Sequence, residues 1–248
     1  MWRRIVLLLI LTLVVAYLIA AVTFFNRRPV GMLCQGIELV IRDSAYAGFI
    51  TEAEVKRLLK QQGIGPEGKE MDRIRTRTLE EVLAPHPLID NVECYKTPDG
   101  HICVEVSQRI PLLRVMSDGG EDYYVDHKGR VMPTDAKNAA RLVVATGHID
   151  RAYATGVLYP FARYLQTDAF WQAQTEQLHV LSDRTVELVP RVGDHIVYLG
   201  RLEQVEQKLD RLKRFYEQGL NKVGWNKYRR ISVEFGNQVI CTRRELKN

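Results

Sequence analysis

The chain has 248 residues, 46% apolar and 26% charged, with four cysteines, a composition that excludes a disordered chain, a collagen-like repeat and a disulfide-dense miniprotein. That length allows one or two compact domains. The net charge of +5 would point to nucleic acid or an anionic surface only if it were spread over one folded face. It is not, because residues 1–28 hold four positive charges and no acid, leaving 31 Lys+Arg against 30 Asp+Glu for the remainder.

Residues 5–25, IVLLLILTLVVAYLIAAVTFF, contain no charged side chain. As a helix rising about 1.5 Å per residue, this run reaches roughly the 30 Å thickness of bilayer hydrocarbon. It is longer than the roughly 7 to 15 apolar residues of a signal peptide and has no A-x-A cleavage pattern, so it reads as a retained transmembrane anchor. Arg3 and Arg4 flank it on one side and Arg27 and Arg28 on the other, so charge alone does not orient it. Long segments cross the membrane largely regardless of charge, which places the tail 1–4 in the cytoplasm and residues 26–248 outside it.

After a linker over 26–35, Ile37–Ile41 alternates as a strand. Thr51-Glu52-Ala53-Glu54 is a capping box, with Ile50 and Val55 placed to staple the helix start. Val55, Leu58 and Leu59 form its apolar stripe, and Gly63 ends it. A second helix is expected over Asp72–Leu83, capped by Asp72 and stopped before Pro85. Asn91–Lys96 and His101–Ser107 then form a hairpin around Pro98-Asp99-Gly100. A four-residue loop would set Cys94 opposite Cys103, whereas a three-residue loop sets it opposite Val104; buried reduced thiols are favoured over a disulfide.

The rest is richer in strand: Pro111–Met116, Tyr123–Met132 with a turn at His127-Lys128-Gly129, Leu142–Thr146, Gln177–Leu181, Thr185–Val189 and His195–Leu199. Helices are expected over Ala152–Leu165 and Arg201–Gln218, the latter with Leu202, Val205, Leu209, Leu212 and Phe215 on one stripe. The last two strands, Arg229–Phe235 and Gln238–Thr242, meet at Gly236-Asn237, a tight-hairpin signal. A strand so near the chain end can lie on a sheet edge, with unpaired backbone groups open to another chain.

No phosphate-cradling glycine loop, nucleophile elbow or paired-histidine metal motif occurs, and neither a catalytic nor a cofactor nor a metal site is expected. Asp118, Glu121, Asp122 and Asp126 lack the ligand spacing of a calcium loop. Charge does segregate: residues 201–248 hold 12 Lys+Arg against 6 Asp+Glu, while 29–200 hold 19 against 24. The basic end either meets an acidic partner or is the solvated face of the 201–218 helix.

The anchor, the β-α-α-β-β order with Phe49-Ile50-Thr51-Glu52 at its first helix, and Pro87-Leu88-Ile89-Asp90-Asn91-Val92-Glu93 before the hairpin resemble the FtsQ/DivIB cell-division family. Val104–Pro111 after the hairpin and Tyr123–Pro133 at the entry to the second, β domain are similar to the same family, and Phe170-Trp171, Pro190-Arg191-Val192-Gly193 and Gly224-Trp225-Asn226-Lys227-Tyr228 are similar to its Bacteroidota-type members. The resemblance implies an α+β chain: a single transmembrane helix over 5–25, a POTRA module over 36–110 and a mixed β domain over 111–248 with an exposed C-terminal edge strand. It further implies a non-enzymatic, bitopic inner-membrane divisome scaffold that binds FtsB- and FtsL-type partners in the periplasm and helps regulate septal peptidoglycan synthesis. No nucleic acid is expected as a partner; the bilayer is contacted through 5–25. The partner edge maps onto Arg229, Arg230, Ser232, Gln238, Val239, Ile240, Cys241 and Thr242. The alternative is a POTRA-containing envelope-assembly or export factor.

Overall fold

The computed structural model describes residues 2–25, 31–42, 50–134 and 142–245, without the side chains at 4, 7 and 23–25. Arg27, Arg28, Phe49, the linker residues 26–30 and the Arg4 side chain therefore lie outside the described residues. Helix α1 (Trp2–Phe25) is continuous over 24 residues, and its described side chains apart from Ala21 are exposed. Those side chains are described without a break only from 8 to 22, and among the described residues no helix is long and apolar enough to cross a membrane.

The described part of the chain beyond α1 forms two compact units. The first holds β1 (Gly36–Ile41), α2 (Glu52–Gln61) and α3 (Thr76–Leu83) with most of β2 (Ile89–Lys96) and β3 (His101–Gln108), and its sheet runs β1-β3-β2 with β1 parallel to β3. Thr51 caps α2 as its sequence demands, its Oγ1 accepting from the Glu54 amide at 3.3 Å. The reciprocal half of the box is replaced: the Glu54 carboxylate accepts from Arg57 at 3.2 Å. Asp72 does not cap a helix. Met71–Arg73 is a 3₁₀ turn, and α3 starts only at Thr76 after an extended Ile74. Met71 and Ile74 are both buried, and three-residue spacing in a 3₁₀ turn stacks side chains on one face, which explains the break.

The hairpin takes the tighter of its two expected registers. Thr97 N donates to His101 O at 2.9 Å, leaving three residues between them, so Cys94 falls opposite Val104 and Tyr95 opposite Cys103. The Tyr95 hydroxyl accordingly lies beside the Cys103 thiol, the first cause of its raised pKa. Cys94 and Cys103 point to opposite faces and are free, buried thiols.

The second unit is built on a nine-stranded sheet: β4 (Pro111–Ser117), β5 (Asp122–Asp126), β6 (Val131–Pro133), β7 (Val143–Gly147), β8 (Thr175–Val180), β9 (Val186–Pro190), β10 (Ile196–Gly200), β11 (Tyr228–Ser232) and β12 (Ile240–Arg243). Its order is β12-β11-β10-β9-β8-β7-β4-β5-β6, with β4/β7, β7/β8 and β10/β11 parallel. Parallel neighbours need crossovers. One is the helical run of α4 (Arg151–Tyr153), a π-helical turn (Ala154–Leu158), α5 (Tyr159–Thr167) and α6 (Ala169–Gln174). Another, between β10 and β11, is α7 (Val205–Phe215), a second π-helical turn (Tyr216–Leu220) and α8 (Asn221–Val223). Helix α7 begins four residues later than its apolar stripe indicates. Gln204 is left-handed at φ +52°, and the buried Lys208 ammonium donates to Leu199 O at 2.9 Å and Arg201 O at 2.7 Å, so 201–204 turn away from β10.

Alternation decides which sheet face is covered. Leu113, Val115, Ala145, Leu178, Leu188, Val197 and Ile231 join Leu158, Leu165, Trp171, Leu209, Leu212 and Leu220 of the helices in one core. Arg114, Thr146, His179, Tyr198 and Arg230 on the other face are only partly buried. At the start of the unit, Arg109 Nε donates to Asp126 Oδ2 at 2.7 Å, while Asp126 Oδ1 accepts from the Lys128 and Arg130 amides. These bonds hold the Asp126 carboxyl below its usual range although burial opposes them, so stability from this network is present above the ordinary aspartate pKa and is lost as pH falls through the lowered value.

Candidate partner-binding edge

Strand β12 ends the nine-stranded sheet, as a strand at the end of the chain can. Its register pairs Ser232 with Ile240, Ile231 with Cys241 and Arg230 with Thr242. The Arg244 amide donates to Lys227 O at 3.1 Å, which fixes the phase: the backbones of Ile240, Thr242 and Arg244 turn to β11, and those of Cys241 and Arg243 turn outward. Side chains alternate independently of this. Val239 and Cys241 pack against the core, where burial pushes the Cys241 thiol pKa up, whereas Ile240 is 46% exposed.

The two-residue hairpin read from Gly236-Asn237 is wider than its sequence indicates. β11 stops at Ser232 and β12 begins at Ile240, so Gln238 and Val239 precede the strand. Val233, beyond the last β11/β12 pair, stays on the β10 side, its amide donating to Tyr198 O at 3.0 Å. Arg211 of α7 holds the connection from the helix side, donating to Gly236 O at 2.7 Å and Val233 O at 2.9 Å.

The structure separates the two arginines that sequence placed side by side. The register shifts between Tyr228 and Arg230, so Arg229 is the extra residue of a β-bulge and is exposed. Arg230 is committed to the fold: its guanidinium stacks 4.5 Å from the Tyr198 ring centroid and pairs with Glu187, whose side chain is only 11% exposed. Arg243 and Arg244, absent from the sequence-based set, complete the cationic rim. Arg244 is tied to Asp194 at 2.6 Å, whereas Arg243, like Arg229, has no ion pair among the described residues. Their signal was present, since two arginines directly follow the expected strand end.

Beneath this edge, three separate sequence motifs converge in one aromatic cluster. Trp171 lies 4.9 Å from Phe170 and 6.2 Å from Tyr216, and Tyr216 lies 4.9 Å from Trp225. His195 Nε2 shares a 2.9 Å hydrogen bond with the Tyr216 hydroxyl, and burial lowers the His195 pKa. Gly193 is left-handed at φ +96°, and a Cβ there would come within 2.7 Å of the His195 ring, so glycine is the residue this approach requires. Of the remaining sequence-assigned positions, Ser232 and Thr242 are partly buried, Gln238 is exposed, and Arg3 is exposed on α1.

The arrangement offers hydrogen-bonding backbone and cations. Among the described residues no three His, Cys, Asp or Glu side chains are grouped to hold a metal ion. No curated protein matches the sequence. A POTRA-like domain model matches residues 32–107, and the model described as FtsQ/DivIB, C-terminal related, matches 110–242, more than half of the chain. With a POTRA-like module followed by that C-terminal domain, the chain belongs to the FtsQ/DivIB family.

Proposed function

We propose that this chain is a non-enzymatic scaffold of the cell-division machinery, held in the inner membrane by a single pass over 5–25 with its tail 1–4 cytoplasmic and its folded units periplasmic. The partners are FtsB- and FtsL-type bitopic division proteins, and the consequence is control of septal peptidoglycan synthesis. The anchor rests on the 21 uncharged residues of that segment, lying within one continuous helix.

The observation that carries the reading is the outward-facing backbone of Cys241 and Arg243 on a terminal strand. An extended partner segment adds to such an edge through main-chain hydrogen bonds, with alternate side chains setting specificity. Ile240 and Thr242 would meet its side chains on one face, and the unpaired Arg229 and Arg243 favour acidic residues flanking them.

Two experiments test this. Depletion should give filaments blocked at the septum; normally dividing cells with outer-membrane defects would reject the division role in favour of envelope assembly or export. Photocrosslinkers at Val239 and Ile240 should capture the partner, and strong crosslinks elsewhere with none there would reject the edge.

A further inference from the structure

The POTRA-like module has an edge of its own. Strand β2 lies at one end of its three-stranded sheet. The Thr97–His101 hydrogen bond sets the phase of the hairpin, so the backbones of Thr97, Tyr95 and Glu93 face β3 and those of Val92, Cys94 and Lys96 face outward. This edge is occupied from within the chain. Glu80, on the middle of α3, extends its carboxylate across the strand, and Oε1 accepts from the Cys94 amide at 2.7 Å, fourteen residues away in sequence. A neighbouring outward residue is also drawn inward, since the Lys96 ammonium donates to the Met71 carbonyl of the 3₁₀ turn. A carboxylate on a backbone N–H is a charge-assisted bond, roughly twice the strength of a neutral one, and its bulk stands where an incoming strand would run. The same carboxylate contributes, after burial, to pushing the Cys94 thiol up to about 12.

We propose that Glu80 closes the β2 edge of the POTRA-like sheet against strand addition. The strand it excludes is β2 of a second copy. Antiparallel self-pairing of an eight-residue strand matches its own alternation, in which Val92 and Cys94 are buried and Tyr95 is exposed, and its two-fold symmetry repeats each contact. Closure of β2 stands independently of the reading of β12 given above.

The test uses the full chain in detergent micelles, residue-resolved amide exchange, and a fluorescent peptide with the sequence of residues 89–96 as the probe. Glu80→Ala should speed exchange of the Cys94 amide by about tenfold and gain binding of the peptide, while Glu80→Gln, which keeps an acceptor oxygen, stays close to the parent. Glu80→Ser serves as a second opening variant, with near-UV dichroism reporting the fold. Peptide binding that the opening variants gain over the parent and that persists when Cys241→Pro is added belongs to β2 and supports the proposal whatever happens to partner binding at β12. Unchanged Cys94 exchange in both opening variants, failure of both to bind the peptide, or binding abolished by Cys241→Pro would overturn it.

Discussion

Two of the molecule's sheet rims, β2 and β12, are finished by its own chain in opposite ways. At β2 the outward amide of Cys94 is held by a carboxylate at 2.7 Å, and the neighbouring lysine side chain folds back onto the module. At β12 the outward amides of Cys241 and Arg243 face no further strand among the described residues, and exposed cations stand beside them. Free edges invite indiscriminate pairing, and folded proteins cover, shorten or charge them. Here the long edge is capped and the open one is only four residues long, rimmed with arginine. The proposed use of β12 rests on this difference.

The comparison is broken most severely by proline, which removes one N–H at a time. Thr242→Pro deletes an amide that turns into the sheet and should destabilise this unit by about 2 to 3 kcal/mol, read from chemical denaturation. Cys241→Pro deletes one that turns outward. Its melting temperature should stay close to the parent while partner affinity falls by about tenfold or more, and an equal loss of stability in both variants would show that the assigned phase is wrong.

Charge reversal sharpens the contrast within the rim. Arg230→Glu sets a carboxylate against the nearly buried Glu187 and removes the stacking on Tyr198, so a loss of about 1 to 3 kcal/mol is expected in thermal melts. Arg229→Glu, in an exposed bulge, should leave stability within about 0.5 kcal/mol and instead slow partner association in a salt-dependent way.

Acidity probes what lies beneath β12. Burial depresses the His195 pKa, Asp194 opposes that shift and Arg244 reinforces it, and Tyr216 shares its Nε2. A histidine whose folded pKa lies below the unfolded value near 6.5 destabilises the fold as pH falls through that range, because the unfolded chain binds the proton more readily. Stability should therefore drop on acidification from about pH 7 to 5, and His195→Gln should flatten that part of the curve. A curve unchanged by the substitution would remove His195 as the cause.

Much of this was readable from local pattern. Thr51 announces α2 through its hydroxyl, and alternation located the strands because a half-covered sheet imposes a period of two. What failed was either too short or too distant. The six-residue α6 carries too little periodicity to read, and the 3₁₀ turn at Met71 obeys a spacing that an amphipathic-helix reading absorbs. Chain order hid the parallel pairings, since β10 and β11 become neighbours only after a helical crossover. Arg230 looked as free as Arg229 because Glu187 lies 43 residues away, and the contact of Glu80 carries no sequence signal because its partner is a backbone amide. Which amides face outward required the register.

The most direct measurement is residue-resolved hydrogen exchange at two amides of one sample. In the free chain Cys94 should exchange slowly and Cys241 fast. Addition of the FtsB/FtsL-type partner should slow Cys241 and leave Cys94 unchanged. A Cys241 amide already protected in the free chain, or one whose exchange the bound partner does not alter, would contradict the assignment of β12 as the strand-accepting edge.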